Sequence, residues 1–378
     1  MAADAVFVGG GVIGLAGAWQ AARAGLRVTV VDPTPGHGAS WVAAGMLAPV
    51  TEATFGEEVL VRLLTEAAAC WPSFAAALAE ETGADVGYRP CGTVAVAADP
   101  SDRAVIDQLL AYQQALGLDA RRLSGSECRR LVPSLAPGIR GGAEVPGDHQ
   151  VDNRRLVAAL LEACAAAGVA TVADRVTSVL TGPDGTVRGV GCAEAGELAA
   201  GAVVACAGAA TGDLPGVPTG SLPPVRPVKG HVMRLRGPAD HPLLERTVRG
   251  LVHGRSCYLV PRADGHVVVG ATSEERGFDT TVQAGAVHTL LDDARSLVPG
   301  VDELELVECL AGLRPGSPDN CPFVGWTDVP GLAVAAGHYR NGILLTPLTA
   351  AALAALLSGE PVPAALAAFG PDRAALLT

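Results

Sequence analysis

Three glycines and an aspartate form the first group whose spacing does recognisable chemistry: Gly9-Gly10-Gly11-Val12-Ile13-Gly14, with Asp32 lying 18 residues beyond Gly14. In a G-x-G-x-x-G turn the first glycine permits the tight bend, the second lets a pyrophosphate approach the backbone, and the third lets a helix pack closely on its sheet. The start of that helix offers backbone N–H groups and a partial positive charge to phosphate oxygens. A carboxylate at the end of the next strand accepts hydrogen bonds from the adenosine ribose hydroxyls and disfavours a 2′-phosphate. The pattern reads as a dinucleotide cradle and leaves NAD and FAD open, since both carry the same ADP half.

Two further segments suit a large planar ring. The run Ser40-Trp41-Val42-Ala43-Ala44-Gly45-Met46 is built mostly of small residues that let a ring lie against backbone. Gly337-His338-Tyr339-Arg340-Asn341-Gly342-Ile343-Leu344-Leu345 follows an apolar strand and opens a helix. A helix N-terminus at the pyrimidine edge of a flavin would stabilise the negative charge that builds there on reduction, and Arg340 would add to it. Arg314 stands between Gly312 and Pro315-Gly316, reading as a turn after a strand, where loops carry function. Its planar fork matches a carboxylate; a salt-bridged surface arginine is the plainer alternative. Tyr258 taken alone reads as a half-buried strand tyrosine. His253 and His338 read as structural or solvent-facing, and Cys206 as a small core residue.

The elements that must position these groups follow from hydrophobic period. Ala5–Val8 is a short apolar run, the Ala-rich stretch to Gly25 a helix, and Arg27–Val31 a second strand, together the size of a βαβ unit. Helices are expected over Glu57–Glu80, Arg103–Leu116, Asn153–Ala167, Val282–Leu297 and Leu344–Leu357. Short strands are expected at Val169–Val172, Val176–Leu180, Val187–Val190, Ala202–Ala207, Glu303–Leu310 and Leu332–Ala336. Between Arg226 and Thr272 the runs His231–Leu235, Ser256–Pro261 and His266–Gly270 imply a second sheet, the last two joined at a hairpin turn, Arg262-Ala263-Asp264-Gly265. Ser124–Asp148 reads as a polar connecting region.

Composition narrows the function class. With 378 residues, 49% apolar and 17% charged, the chain suits two domains of a well-buried α/β enzyme. The net charge of −12 without a basic stripe gives no electrostatic basis for binding nucleic acid or anionic lipid. Nine cysteines with no C-x-x-C pair read as reduced thiols, and no metal-ligand spacing appears. No export signal is seen at the start, so a cytoplasmic protein is expected. The apolar segment Gly342–Leu357 is interrupted by Thr346, Pro347 and Thr349 and falls short of the roughly 20 residues of a membrane span. A homo-oligomer is left open.

Taken in order, Gly9–Gly14 with Asp32, the Ser40–Met46 run, Tyr258–Ala271 (YLVPRADGHVVVGA), Gly312-Leu313-Arg314-Pro315-Gly316 and Gly337–Leu345 (GHYRNGILL) resemble the D-amino-acid-oxidase-like flavoenzymes, and among them the glycine oxidases of thiamine biosynthesis. The resemblance covers nearly the full chain. It implies an α/β (α+β overall) fold: a discontinuous Rossmann-like FAD-binding domain over residues 1–84, 148–224 and 309–378, and a second, antiparallel-sheet substrate domain over 85–147 and 225–308.

The resemblance also implies roles. Arg314 would hold the substrate carboxylate, with Tyr258 beside it and Arg340 next to both flavin and substrate. Gly9, Gly11, Val12, Ile13, Gly14, Asp32 and Ser40 would hold the ADP portion and its surroundings, and Val176 the adenine side through its backbone. Ala43, Ala44, Gly45 and Met46 would face the ring. Ala207, Gly208, Gly312, His338, Asn341, Gly342, Ile343 and Leu344 complete the implied FAD set. Some relatives attach flavin through a cysteine ahead of the arginine motif; the aligned residue here is Gly312, so FAD is expected to be noncovalent, with Cys309 and Cys321 near enough in sequence to check. A histidine found in relatives two residues before the tyrosine is Ser256 here. The implied reaction is oxidation of glycine, sarcosine or a small D-amino acid to the imine, with O2 reduced to H2O2. The competing readings are a quinone-linked D-amino-acid dehydrogenase and a noncatalytic flavin-binding protein.

Overall fold

The computed structural model describes residues 2–377. β-Branched runs such as Val28-Thr29-Val30-Val31 settle into a buried sheet whose strand order is Phe323–Trp326, Leu332–Ala336, Glu197–Ala205, Ala3–Val8, Val28–Val31, Ala170–Val172. All neighbours are parallel except the first pair. The hairpin Val176–Thr181/Val187–Cys192 branches from Glu197–Ala205. Helices Val12–Arg23, Glu58–Thr82, Asn153–Ala166 and Gly342–Leu357 pack together over one face. Trp19 and Trp71 are fully buried there, and truncating either would cost roughly 3–5 kcal/mol.

Glu58–Thr82 and Tyr339–Leu357 are each long and apolar enough to cross a membrane. In the fold they pack on one another inside this core, and Trp71 Nε1 donates to the Leu344 carbonyl at 2.9 Å.

The second sheet runs Glu305–Gly316, Arg226–Arg236, His266–Gly270, Arg255–Pro261, Thr247–Val252, Thr93–Ala97, Gly141–Val145, Arg121–Ser124. Its neighbours are antiparallel except for Thr247–Val252 with Thr93–Ala97. Alternation sorts the side chains to two faces. Met233, Cys257, Leu259, Val267 and Val269 meet Ala284–Leu297 and neighbouring segments in one core. Val232, Val260 and Val268, with Tyr258, instead meet Val42, Ala44 and Met46 of the first domain. The second sheet thus roofs the small-residue run.

Three local expectations change. Arg314 lies within the strand Glu305–Gly316, not in a turn, with Arg314 opposite Val228. Its glycine and proline neighbours imitate a turn, but this is an edge strand, where proline leaves no ladder hydrogen bond unmade. The same strand crosses residue 309, where the nucleotide domain was expected to resume. The Ser124–Asp148 stretch holds a helix, Gly125–Leu131, and a strand, Gly141–Val145. That helix starts with a capping box in which Ser124 and Glu127 each bond the other's backbone N–H.

Candidate active site

The nucleotide cradle is held by close approach. Gly9 has φ +118°, a backbone angle L side chains avoid, and a Cβ there would run into the Cys206 carbonyl and lie 2.9 Å from Ala207 Cα. A Cβ on Gly14 would strike the Gly9 carbonyl and stand 2.9 Å from Cys206 Sγ. Helix Val12–Arg23 therefore starts directly at the turn, with no acidic residue in its first turn to repel a phosphate. Ser40 Oγ accepts the Val12 N–H at 3.0 Å, which brings the small-residue run to this helix mouth. Asp32 Oδ2 accepts from Gly10 N at 2.7 Å and Oδ1 from Thr34 N at 2.7 Å. Each oxygen keeps a lone pair for a ribose hydroxyl. Val176 lies half-buried in the cluster that holds Val31 and Val172, beside Asp32, and Ala207–Gly208 lies against the glycine turn. These residues fit the ADP half of FAD.

The ring segment is clamped by side chains that sequence reasoning missed. Asn153 Nδ2 donates to the Ser40 and Trp41 carbonyls at 2.8 and 3.0 Å. Arg262 Nη2 donates to the Ala44 carbonyl at 2.6 Å. Arg234 Nη2 donates to Asn153 Oδ1 at 3.0 Å. Arg234 comes from a roof strand and Arg262 from the hairpin turn after Arg255–Pro261; both are nearly fully buried, so the two domains are tied at this run. Gly45 sits against the Val151 carbonyl, and Met46 pairs with Gln150.

At the other end, strand Leu332–Ala336 leads through Gly337–Asn341 into helix Gly342–Leu357. His338 is buried with Nε2 3.1 Å from Thr349 Oγ1. Burial lowers its pKa to about 3, so the ring is neutral and its partner is the helix. Asn341, Gly342, Ile343 and Leu344 form the helix start itself. Gly312 faces Val42, whose side-chain carbons lie 3.0–3.2 Å from where its Cβ would be. Cys309, three positions earlier, points to the opposite face and packs on the helix-covered core, and Cys321 lies in the first-domain core with its thiol pushed up to about 11 by burial.

Between roof and ring segment lies a charged cluster. Register places Arg314, Tyr258 and Arg249 on the roof face turned to the first domain, with Arg249 directly opposite Tyr258. Arg314 Nη1 donates to the Thr272 carbonyl at 3.1 Å, its single hydrogen bond among the described residues. Burial raises the Tyr258 pKa against the pull of Arg314 and Arg249, keeping the phenol a neutral donor. Arg249 Nη1 lies 2.5 Å from Glu52 Oε1 and 3.0 Å from Thr51 Oγ1, and Arg340 Nε lies 3.5 Å from Glu52 Oε2. Burial opposes the charge of Glu52, but Arg249, Arg340 and Arg314 outweigh it and hold the carboxyl below its usual range. The turn carrying Glu52 is fixed by Asp148, which accepts from Val50 N and Thr51 N at 2.9 Å each. The fold thus gathers Arg314, Tyr258 and Arg340 with two residues not anticipated, Glu52 and Arg249. The signal for Arg249 was its inward position in the alternating run Thr247–Val252.

A guanidinium with most of its donors unengaged, a neutral phenol and a helix N-terminus under a dinucleotide cradle suit a carboxylate-bearing substrate held against a redox ring. Comparison with known proteins points the same way. The family model described as FAD dependent oxidoreductase (DAO) matches residues 4–356. The chain is 36% identical to a glycine oxidase of Geobacillus kaustophilus over 98% of this chain and 97% of that protein. It is 34% identical to the bifunctional protein ThiO/ThiG of Synechocystis sp. over 98% of this chain, spanning 54% of that longer protein. The crystal structure of glycine oxidase from Geobacillus kaustophilus superposes with a TM-score of 0.89 at 35% identity, covering 98% of both chains. Cradle, roof and sequence together make this chain an enzyme of the DAO family of FAD-dependent oxidoreductases.

Proposed function

We propose that the protein oxidises glycine, and with it sarcosine and D-alanine, at the carbon bearing the amine, and that the reaction serves thiazole formation in thiamine biosynthesis. The observation that carries this reading is the Arg314 fork, which spends one donor on the Thr272 carbonyl and keeps the rest for a carboxylate. The names of the relatives agree with it. Arg314 would hold both carboxylate oxygens, Tyr258 would donate to one of them, and Arg340 at the helix mouth would add positive charge beside the ring. Fixing the carboxylate leaves the Cα–H aimed in one direction, which removes much of the entropic cost of the encounter. Val232, Val260 and Val268 of the roof pack with Tyr258 on Val42, Ala44 and Met46, an apolar contact that keeps water from that side of the ring segment. Bound in the cradle, FAD would supply the two-electron acceptor for the hydride leaving Cα of the neutral amine, with O2 as the final oxidant. Glycine, water and O2 then give glyoxylate, ammonia and H2O2, the imine being hydrolysed after release.

Ser256 stands two residues before Tyr258 on the same strand and is exposed, and a side chain this small at that position favours acceptance of sarcosine and D-alanine beside glycine. Anaerobic bleaching of the flavin by glycine, sarcosine, D-alanine and D-phenylalanine, followed by a peroxide assay in air, tests the proposal. Glycine should bleach and yield peroxide, and D-phenylalanine should react poorly. D-phenylalanine outperforming glycine would replace the assignment by a broader oxidase, and reduction of an added quinone without peroxide would replace it by a dehydrogenase.

A further inference from the structure

Three guanidinium groups, of Arg249, Arg314 and Arg340, surround one carboxylate, that of Glu52. Arg249 reaches Glu52 from the roof and Arg340 from the C-terminal helix mouth, at 2.5 and 3.5 Å. Arg314 shares the same field. The Glu52 side chain is 10% exposed and that of Arg340 42% exposed, so the anion position between the two arginines borders open space. Its occupant is anchored in place, because Asp148 holds the backbone of Val50 and Thr51 and Thr51 itself accepts from Arg249. Without Glu52 the pocket would present three fixed positive charges; with it, the net charge of these four groups is one lower.

We propose that Glu52 is a specificity-determining residue: its carboxylate fills the anion position between Arg249 and Arg340, leaves Arg314 to hold the carboxylate of the substrate, and turns away amines bearing a second carboxylate. Selectivity of this kind rests on a repulsive element, since a like charge brought beside a buried carboxylate is strongly disfavoured. The inference rests on the amine-oxidation reading, so its test includes a measurement without turnover.

Glu52→Ala opens the position, and Glu52→Gln removes the charge with little change of shape should the alanine variant fail to fold. Holoenzyme is titrated calorimetrically with acetate and malonate, and kcat/KM is measured for glycine, sarcosine, iminodiacetate and D-aspartate. In either variant malonate should bind at least about tenfold tighter than in the parent, acetate should change by less than about threefold, and the dicarboxylate-to-monocarboxylate ratio of kcat/KM should rise at least about tenfold. Glu52→Asp should restore the exclusion, and Arg249→Met added to Glu52→Ala should abolish the gain in malonate binding. Malonate binding unchanged in both variants, or improved equally in the double variant, overturns the proposal. Tighter malonate binding with no amine oxidised by any form would instead overturn the amine-oxidation reading and leave the anion position standing.

Discussion

Replacing Arg314 separates its proposed role in holding the substrate from any role in the fold. Among the described residues its guanidinium makes one hydrogen bond, to the Thr272 carbonyl, so Arg314→Ala costs the fold about 0.5–1.5 kcal/mol. For a chain of this size that shifts the melting temperature by no more than a few degrees. Two charge-assisted bonds to a substrate carboxylate are worth about 1.5–3 kcal/mol each, so the same change should lower kcat/KM for glycine by roughly 10²-fold or more. Arg314→Lys keeps the charge and loses the fork, with an expected loss of about 1–3 kcal/mol, or roughly 5- to 150-fold. Gly230→Ala supplies an independent perturbation: its Cβ would stand 2.6 Å from Nη2 and 2.7 Å from Cζ of Arg314, displacing the fork while leaving its charge. Because the obstructed atoms are the end of a flexible side chain, stability should change little and KM should rise. Steady-state peroxide release, FAD absorbance per protein and a thermal melt are read for each variant. Arg314→Ala with near-parental efficiency on glycine, or with FAD lost in proportion to activity, would refute the carboxylate role.

Two further outcomes follow from the cradle and the buried titrating groups. With Gly312 at the inner face and Cys309 and Cys321 turned into apolar cores, acid precipitation should release all FAD into the supernatant, and Gly14→Ala, which forces a Cβ onto the Gly9 carbonyl, should lower FAD occupancy and stability by about 1–3 kcal/mol; a yellow pellet or a fully loaded Gly14→Ala protein contradicts this. Burial raises the Asp148 pKa from 3.8 to about 6, so the folded state holds this proton where the unfolded chain has lost it and the contribution to stability declines as pH rises from about 4 to 6. Burial lowers the His338 pKa from 6.5 to about 3, so its contribution is present above 6.5 and is lost as pH falls toward 3. The two slopes oppose one another between about 4 and 6; Asp148→Asn should remove one and lose about 2 kcal/mol relative to the parent on acidification across that window, whereas parallel melting profiles would show that Asp148 does not titrate there.

The cofactor cradle was legible because it is contiguous. Strand, glycine turn, helix and second strand occupy Ala3–Val31, and each step has its own local signature: apolar run, glycine spacing, helical period and terminal aspartate. The final strand Leu332–Ala336 matched its expected bounds for the same reason, being a five-residue apolar run bounded by glycines. Helix Gly125–Leu131 was also within reach, since Ser124-Gly125-Ser126-Glu127 spells a capping box, but its surroundings of proline and glycine outweighed that signal. Arg314 was recognised by residue type and assigned to the wrong element, because Gly312, Pro315 and Gly316 carry turn chemistry that an edge strand tolerates.

The charged cluster of the candidate site resisted the same reading for a physical reason. Glu52 and Arg249 are 197 positions apart, and each taken alone is an ordinary charged residue with no period to mark it. Their meeting depends on the register that sets Arg249 opposite Tyr258 and on Asp148 folding the Val50–Thr51 backbone back toward the roof. A one-residue slip of Thr247–Val252 would turn Arg249 into the helix-covered core and leave Glu52 without its nearest cation. Cradling the ADP half of FAD rests chiefly on one βαβ unit. Assembling the charged cluster needs the roof sheet in register across a domain boundary, and the buried Arg234, Arg262 and Asn153 contacts that tie roof to ring segment fix that register relative to the cradle.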